Sequence, residues 1–222
     1  MIGGNNMKKG LTELVFVLDR SGSMSGLESD TIGGFNSVLT KQKAEKGDAN
    51  ITTVLFDDKY ELLHHRYNLG KTSKITEKEY FVRGTTALLD AIGKTIHKMG
   101  NVQKYAADDE RAEKVMFVII TDGMENASTE YSYNRIKKMI DHQKKKYEWE
   151  FIFLGANMDA VETAGRFGIS EDRAANYHAD SEGTMLNYDV ISETVSMVRS
   201  KRSIDSAWKD RIDKDYESRK RR

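Results

Sequence analysis

The sequence alternates between short apolar runs rich in β-branched and aromatic residues and longer segments in which apolar residues recur at helical spacing. Such alternation is typical of βαβ units, in which helices cover a mostly parallel sheet. The run at 13–19 (ELVFVLD) is almost continuously apolar, as a strand buried on both faces requires. The runs at 51–58 and 60–67 are close enough to form a hairpin, which predicts one antiparallel edge strand.

The whole pattern predicts an α/β fold with about six strands. The remaining strands are expected at 114–123, 148–156 and, from a weaker signal, 173–179. Helices are expected after Gly26 and at 88–99, 131–146, 158–167 and 183–201. Two adjacent glycines, Gly33 and Gly34, weaken the first of these helices by about 1 kcal/mol each.

The length and composition predict one folded core with appendages. The chain has 222 residues, of which 38% are apolar and 32% charged, so it is polar but well outside the disordered range. We expect a leader at 1–11, a domain at 12–201 and a charged helical tail at 202–222. The tail carries an apolar stripe at every fourth residue, which we expect to pack on the domain or on a partner chain. The stripe consists of Ile204, Trp208, Ile212 and Tyr216.

The charge balance and the absence of cysteine exclude several classes of function. Lys plus Arg (35) equals Asp plus Glu (35), which removes any general electrostatic attraction to nucleic acid or membranes, and we expect neither as a partner. Without cysteine, neither disulfides nor thiolate metal sites can form. No apolar run resembles a signal peptide or reaches the roughly 20 residues that span a bilayer. We therefore expect a cytoplasmic protein.

Three separate segments place oxygen-bearing side chains where strands end or helices begin. Asp19, Ser21 and Ser23 follow the first strand, Asp122 ends the run VIITDG, and the segment 84–92 (GTTALLDAI) carries hydroxyls just before a helix. Because ligand sites of parallel α/β sheets form at the carboxyl ends of the strands, these groups are expected to meet. Carboxylates and hydroxyls without a neighbouring Cys or His suit Mg²⁺ or Mn²⁺ better than Zn²⁺ or Cu²⁺.

These motifs together resemble those of von Willebrand factor A (vWA) domains. DRSGSM at 19–24 resembles the family's DxSxS signature, GTTALLDAI its threonine loop and VIITDG its acidic loop. The resemblance implies a Rossmann-like three-layer fold over about 12–201 and a metal-ion-dependent adhesion site with Asp19, Ser21, Ser23, Thr86 and Asp122 as ligands. Asp122 would act through a water, and Asp19 either directly or through a water. Thr85 stays open as the alternative to Thr86. The chain looks most like the compact stand-alone versions found in bacteria and phages.

The resemblance implies a non-enzymatic binding module in which Mg²⁺ or Mn²⁺ accepts a carboxylate from an acidic residue of a protein partner. One alternative is a Mg²⁺-dependent, phosphatase-like hydrolase that uses Asp19 as nucleophile, although such enzymes need a second acid where Ser21 stands. Another is a regulatory subunit of an ATPase or chelatase-like complex, which would use the same site.

Several polar residues near the motifs also have ordinary structural explanations. The serines and threonines of the three segments could cap turns and helices. Glu125 and Asn126 could tune the metal site or be solvated loop residues. The adjacent His64 and His65 point to opposite faces of a strand and do not share a metal easily.

Overall fold

The computed structural model describes residues 7–220, and its elements follow the predicted order. The strands are β1 (Lys8–Asp19), β2 (Ala49–Phe56), β3 (Tyr60–Asn68), β4 (Ala112–Thr121), β5 (Glu150–Gly155) and β6 (Ala174–Asn176). The helices are α1 (Glu28–Ala44), α2 (Leu88–Tyr105), α3 (Tyr133–Tyr147), α4 (Ala160–Arg166), α5 (Ser181–Arg199) and α6 (Asp210–Lys220). None of the helices in the described range is long and apolar enough to cross a membrane.

The strands form one six-stranded sheet in the order β3-β2-β1-β4-β5-β6. All neighbours pair in parallel except β2 and β3, which form the antiparallel hairpin at one edge. The predicted α/β class, with about six strands and one antiparallel edge strand, is confirmed. Since β1 and β4 lie side by side at the centre, the loops that follow them are neighbours at one edge of the sheet.

Each central strand contributes alternate residues to the two faces of the sheet. In β1, Leu14, Phe16 and Leu18 face the core under α1 and α5, whereas Val15 and Val17 face the core under α2, α3 and α4. All five side chains are buried. A strand covered on both faces needs apolar residues at consecutive positions, which explains the continuous run in the sequence.

The chain enters the sheet earlier than the sequence predicts. β1 begins at Lys8, whereas the predicted leader extends to residue 11, and Leu11 is buried in the core. Lys8 N–H donates to the carbonyl of Arg111 (2.8 Å), and Gly10 lies at φ +82°, which interrupts the apolar pattern at this point. Residues 1–6 of the predicted leader lie outside the described residues. At the other edge, β6 is only three residues long, shorter than the predicted 173–179.

The charged tail packs on the domain through its apolar stripe. Ile204, Trp208 and Ile212 are buried, and Trp208 Nε1 donates to the carbonyl of Asp172 (2.7 Å). The rings of His178 and Tyr216 stack with centroids 4.8 Å apart. For these residues the domain, and not a partner chain, covers the stripe. The division of the chain at 201/202 stays a prediction.

The two adjacent glycines of α1 have opposite surroundings, which gives a first testable prediction. A Cβ at Gly34 would lie 2.1 Å from the ring of Tyr188 in α5, whereas a Cβ at Gly33 would meet nothing within 4 Å. We expect Gly34→Ala to lower the free energy of unfolding by about 1–3 kcal/mol, because the helices must separate. Gly33→Ala is the matched control. It should raise the free energy of unfolding by up to about 1 kcal/mol, because Ala has the higher helix propensity.

Urea denaturation of the two variants checks this prediction. Equal effects in the two variants would contradict the close contact between α1 and α5.

Candidate metal centre

The loop after β1 brings Asp19, Ser21 and Ser23 together. A short 3-10 turn (Gly22–Met24) follows the strand, and the N–H of Ser21 donates to Asp19 Oδ1 (2.7 Å). The hydroxyls of Ser21 and Ser23 lie 3.0 Å apart. Asp19 and Ser21 are buried, whereas Ser23 is exposed. The loop therefore lines a site that is closed underneath and open to solvent at Ser23.

The segment before α2 adds a third hydroxyl from a distant part of the chain. Thr86 Oγ1 donates to Ser21 Oγ (2.9 Å), and Thr86 is buried while Thr85 is exposed. Two backbone hydrogen bonds join this segment to the first loop, from Gly22 N–H to the carbonyl of Gly84 (3.1 Å) and from Arg83 N–H to that of Arg20 (2.9 Å). The geometry thus favours Thr86 over Thr85 as the threonine of the site.

The loop after β4 supplies the second carboxylate. Asp122 follows the last residue of β4 and is buried. A Cβ at the next residue, Gly123, would lie 2.7 Å from Ser23 Oγ and 2.9 Å from Thr86 Oγ1. Glycine at this position leaves the space beside the hydroxyls open. All five predicted ligands thus lie at the carboxyl edge of β1 and β4.

The electrostatics of the two carboxylates fit a site for a cation. Burial raises the pKa of Asp19, although hydrogen bonds from Thr121 and Ser21 lower it. Burial, and to a smaller extent the charge of Asp19, raises the pKa of Asp122 to about 6, against a lowering effect of the hydrogen bond from Asn157. Among the described residues, the side-chain and Ser21 N–H hydrogen bonds to the two carboxylates come from Ser21, Thr121 and Asn157, and none comes from a Lys, Arg or His. A bound cation would compensate this buried negative charge.

The chemistry of the donors suits a hard divalent ion. The site offers two carboxylates and three hydroxyls, all oxygen donors, as Mg²⁺ and Mn²⁺ prefer. Within residues 7–219, no three His, Cys, Asp or Glu side chains converge into a metal-binding group. The fit therefore depends on the hydroxyls as neutral ligands.

Three residues that hydrogen-bond to the two aspartates are not among the residues predicted from the sequence. Thr121 Oγ1 donates to Asp19 Oδ2 (2.6 Å), Asn157 Nδ2 donates to Asp122 Oδ1, and Tyr80 OH donates to the carbonyl of Asp19 (2.5 Å). These bonds fix the orientation of both carboxylates. Only Thr121, which directly precedes Asp122, had a signal in the sequence. Asn157 and Tyr80 reach the site through the fold alone.

Glu125 and Asn126 are structural supports and not free loop residues. Glu125 accepts hydrogen bonds from the N–H groups of Leu89, Ala127 and Ser128, and so holds the start of α2. Asn126 Oδ1 accepts the N–H of Thr86 (2.9 Å). These contacts place Thr86 without bringing either side chain into the predicted ligand set.

The histidines lie apart from the site. His64 is buried beside Thr53 Oγ1 (3.0 Å), and its neighbour His65 is exposed, as alternation in a strand predicts. His178 contacts the tail through the carbonyl of Tyr216 (3.0 Å).

Comparison with known proteins identifies the fold. No protein-family model matches the sequence, and no curated protein matches it either. Among solved structures, the von Willebrand factor type A protein from Catenulispora acidiphila superposes with a TM-score of 0.58 at 13% identity, covering 86% of this chain and 43% of that one. The chain has the von Willebrand factor A fold. The fold expected from the three motifs is thereby confirmed.

Two further vWA-fold structures are similar at the same level. VWA2 from Sulfolobus acidocaldarius, a paralogue of ArnB, gives a TM-score of 0.52 at 20% identity over 83% of this chain and 44% of that one. Proximal thread matrix protein 1 from the mussel byssus gives a TM-score of 0.55 at 14% identity, covering 86% of this chain and 46% of that one. This chain spans less than half the length of each of the three. A further structure of the mussel protein has zinc in its metal-ion-dependent adhesion site motif.

Proposed function

We propose that this chain is a divalent-metal-dependent protein-binding module. Mg²⁺ or Mn²⁺ would be held by Asp19, Ser21, Ser23, Thr86 and Asp122, with a carboxylate from a protein partner completing the ligand shell. The observation that carries the proposal is the hydrogen-bonded convergence of three hydroxyls beside two buried carboxylates, which no cation from the described residues contacts through a hydrogen bond. The zinc-occupied site of the mussel protein supports a divalent ion in this fold.

The charge of the site favours binding to an external anion. Two carboxylates neutralise a dication, and the hydroxyls add no further negative charge. An ion held in this way remains electrophilic and attracts another oxygen anion. The exposure of Ser23 leaves the site accessible from solvent. A side-chain carboxylate of another protein fits both properties.

The surroundings of Asp19 favour a binding role over hydrolysis. A phosphatase-like mechanism would need Asp19 as a nucleophile, yet Oδ1 accepts the Ser21 N–H and Oδ2 accepts the Thr121 hydroxyl. The residue is only 1% exposed. A carboxylate with both oxygens engaged and no access to solvent is poorly placed to attack phosphorus. We therefore propose a module without catalytic activity of its own.

Titration of the full chain with MgCl₂ and MnCl₂ by calorimetry and thermal shift tests the metal site. We expect saturable heat and a rise in melting temperature that EDTA reverses. A displayed library of random peptides, selected in MgCl₂ and eluted with EDTA, tests the partner chemistry. The eluted peptides are expected to contain Asp or Glu. Absence of metal binding, or an EDTA-eluted pool with no excess of Asp or Glu, would refute the proposal.

A pair of neighbouring threonines provides the matched control. Thr86→Val keeps the shape of the side chain but removes the hydroxyl that reaches Ser21, and we expect at least about tenfold weaker Mg²⁺ binding. Thr85→Val should bind Mg²⁺ like the wild type, since Thr85 is exposed. The opposite ranking would assign the ligand to Thr85.

A further inference from the structure

A second candidate binding site lies at the edge of the sheet opposite the metal centre. A groove of about 860 Å³ opens between the C-terminal half of α2 and most of the length of α3, and reaches the first residues of β4 and the start of β5. Since β4 runs from Ala112 in this groove to Thr121 beside the metal centre, about 30 Å separate the two sites. A ligand in the groove would therefore leave the metal centre free.

The groove has two long walls, of which the one on α3 is basic. Each is a row of side chains three or four residues apart, which places them on one side of a helix. The row on α2 contains His97, Asn101 and Lys104, and the row on α3 contains Arg135, Lys138, His142 and Lys145. From Arg135 to Lys145 the α3 row extends about 15 Å along the groove.

The positive charge of the groove is not neutralised from within. The acids that line it, Glu113 and Glu148, have Lys201 (2.8 Å) and Lys114 (3.8 Å) as partners, and neither lysine lines the groove. Lys138 and Lys145 form no ion pair within the described part of the chain. The groove therefore presents a surplus of cations, although the chain as a whole has no net charge.

Helix-dipole compensation explains only part of this surplus. Lys145 lies in the last turn of α3, where a cation suits the partial negative charge of the helix end. Arg135 lies in the first turn, where its guanidinium donates to the carbonyl of Glu130 (3.2 Å) and lies over the ring of Tyr131. Lys138 lies beyond the reach of the dipole and has no ion-pair partner among the described residues, which leaves it free for an external anion.

The interior of the groove is partly apolar. Ile96, Val115 and Trp149 form its buried floor, whereas Met7 and Tyr147 line it with exposed side chains. Met139 is only partly buried and packs against the core below. A ligand that fits both the walls and the interior must carry negative charges and apolar groups along the same length.

We propose that this groove binds an acidic peptide segment of a partner protein that carries apolar side chains. Cations spread along about 15 Å match a row of carboxylates better than one phosphate, which needs donors that converge on a point. A nucleic acid offers phosphates but no aliphatic side chain for Met7 and Met139. The site is independent of the metal centre, so the chain would contact two different surfaces at opposite edges of its sheet.

Fluorescence anisotropy with the full chain in EDTA tests the groove without any contribution from the metal centre. The probe is a labelled pool of ten-residue peptides in which Asp and Glu alternate with Leu and Phe. We expect saturable binding that weakens as salt rises. Pools with Gln for the acids, or with Ala for Leu and Phe, should bind at least about tenfold more weakly.

Two charge-reversal variants locate the binding. Lys138→Glu with Lys145→Glu should weaken binding at least about tenfold. Lys98→Glu with Lys137→Glu makes the same change of net charge on the same two helices but outside the groove, and should stay within about twofold of wild type. Thermal melting of both variants verifies that they are folded.

Three results would overturn the proposal. They are failure of the acidic apolar pool to bind, equal weakening in both double variants, and tighter binding of a ten-nucleotide oligo-dT or of inorganic phosphate than of the pool. Because EDTA is present throughout, none of these results bears on the metal-dependent function, and loss of Mg²⁺ binding would leave the groove untouched.

Discussion

Substitution of Asp122 by Asn is expected to abolish the stabilisation that Mg²⁺ gives the protein and, at the same time, to stabilise the metal-free form. In the wild type, a hundredfold excess of Mg²⁺ over its dissociation constant adds about 2.7 kcal/mol to the free energy of unfolding. The variant loses this gain because a charged ligand is missing. Without metal, the free energy of unfolding of the variant exceeds that of the wild type by about 1–3 kcal/mol, because Asn places no buried charge beside Asp19. Urea denaturation with and without MgCl₂ measures both effects.

Asp58→Asn is the matched control for this variant. Asp58 is an exposed carboxylate close to Gly84 in the threonine loop, but it does not belong to the predicted ligand set. Its variant should respond to Mg²⁺ like the wild type. A Mg²⁺ response that survives in Asp122→Asn, or that disappears in Asp58→Asn, would contradict the ligand assignment.

The stability of the metal-free protein should also depend on pH in a way that Asp122→Asn removes. The pKa of Asp122 is raised from 3.8 to about 6 in the folded protein, so the folded state favours the protonated carboxyl. The stabilisation that protonated Asp122 gives the folded state is fully present below pH 3.8 and is lost as the pH rises through about 6. We expect the wild type in EDTA to lose stability across this window relative to the variant. Parallel pH profiles would contradict the raised pKa.

Replacement of Arg20 by Met is expected to lower the free energy of unfolding by about 3–5 kcal/mol, the largest loss we anticipate for one side chain. Arg20 and Asp57 are both fully buried, and Arg20 Nε donates to Asp57 Oδ2 (2.9 Å). Burial alone would raise the pKa of Asp57, but hydrogen bonds from Arg83, Lys59 N–H and Arg20 bring it below its usual value. Without Arg20, much of the charge on Asp57 is left buried without compensation.

The control uses the second arginine on the same carboxylate. Arg83 Nε also donates to Asp57 Oδ2 (2.7 Å), but its side chain is 38% exposed. Because the guanidinium of Arg83 stays in contact with water, which can replace it at Asp57, Arg83→Met should cost no more than about 1 kcal/mol. Chemical denaturation of both variants gives the comparison. Equal losses would mean that burial does not control the strength of this pair.

The secondary structure could be predicted from the local sequence where a strand is buried on both faces or joins its neighbour through a short turn. The continuous apolar runs of β1 and β4 mark strands covered on both faces, and the hairpin of β2 and β3 follows from their short connection. The start of β1 was missed because Gly10 and polar neighbours interrupt the run, whereas pairing with β4 keeps the backbone extended. The ends of strands depend on their partners, which the local sequence does not contain.

Gly33 and Gly34 show the same limit within a helix. In the sequence the two residues are equivalent weak points of α1. In the structure one faces open space and the other lies against the ring of Tyr188, more than 150 residues later. Only the packing of α5 on α1 separates a tolerant position from a critical one.

The sequence by itself determined the α/β class and the order of the elements, and it predicted the oxygen donors of the site, because hydrophobic period and residue chemistry are local properties. The tertiary structure decided that Thr86 and not Thr85 contacts Ser21, that Thr121, Asn157 and Tyr80 orient the two aspartates, and that a row of cations on α3 faces one groove. These features join residues far apart in the chain. Their energies depend on distance and burial, which exist only once the sheet has brought its loops and helices together.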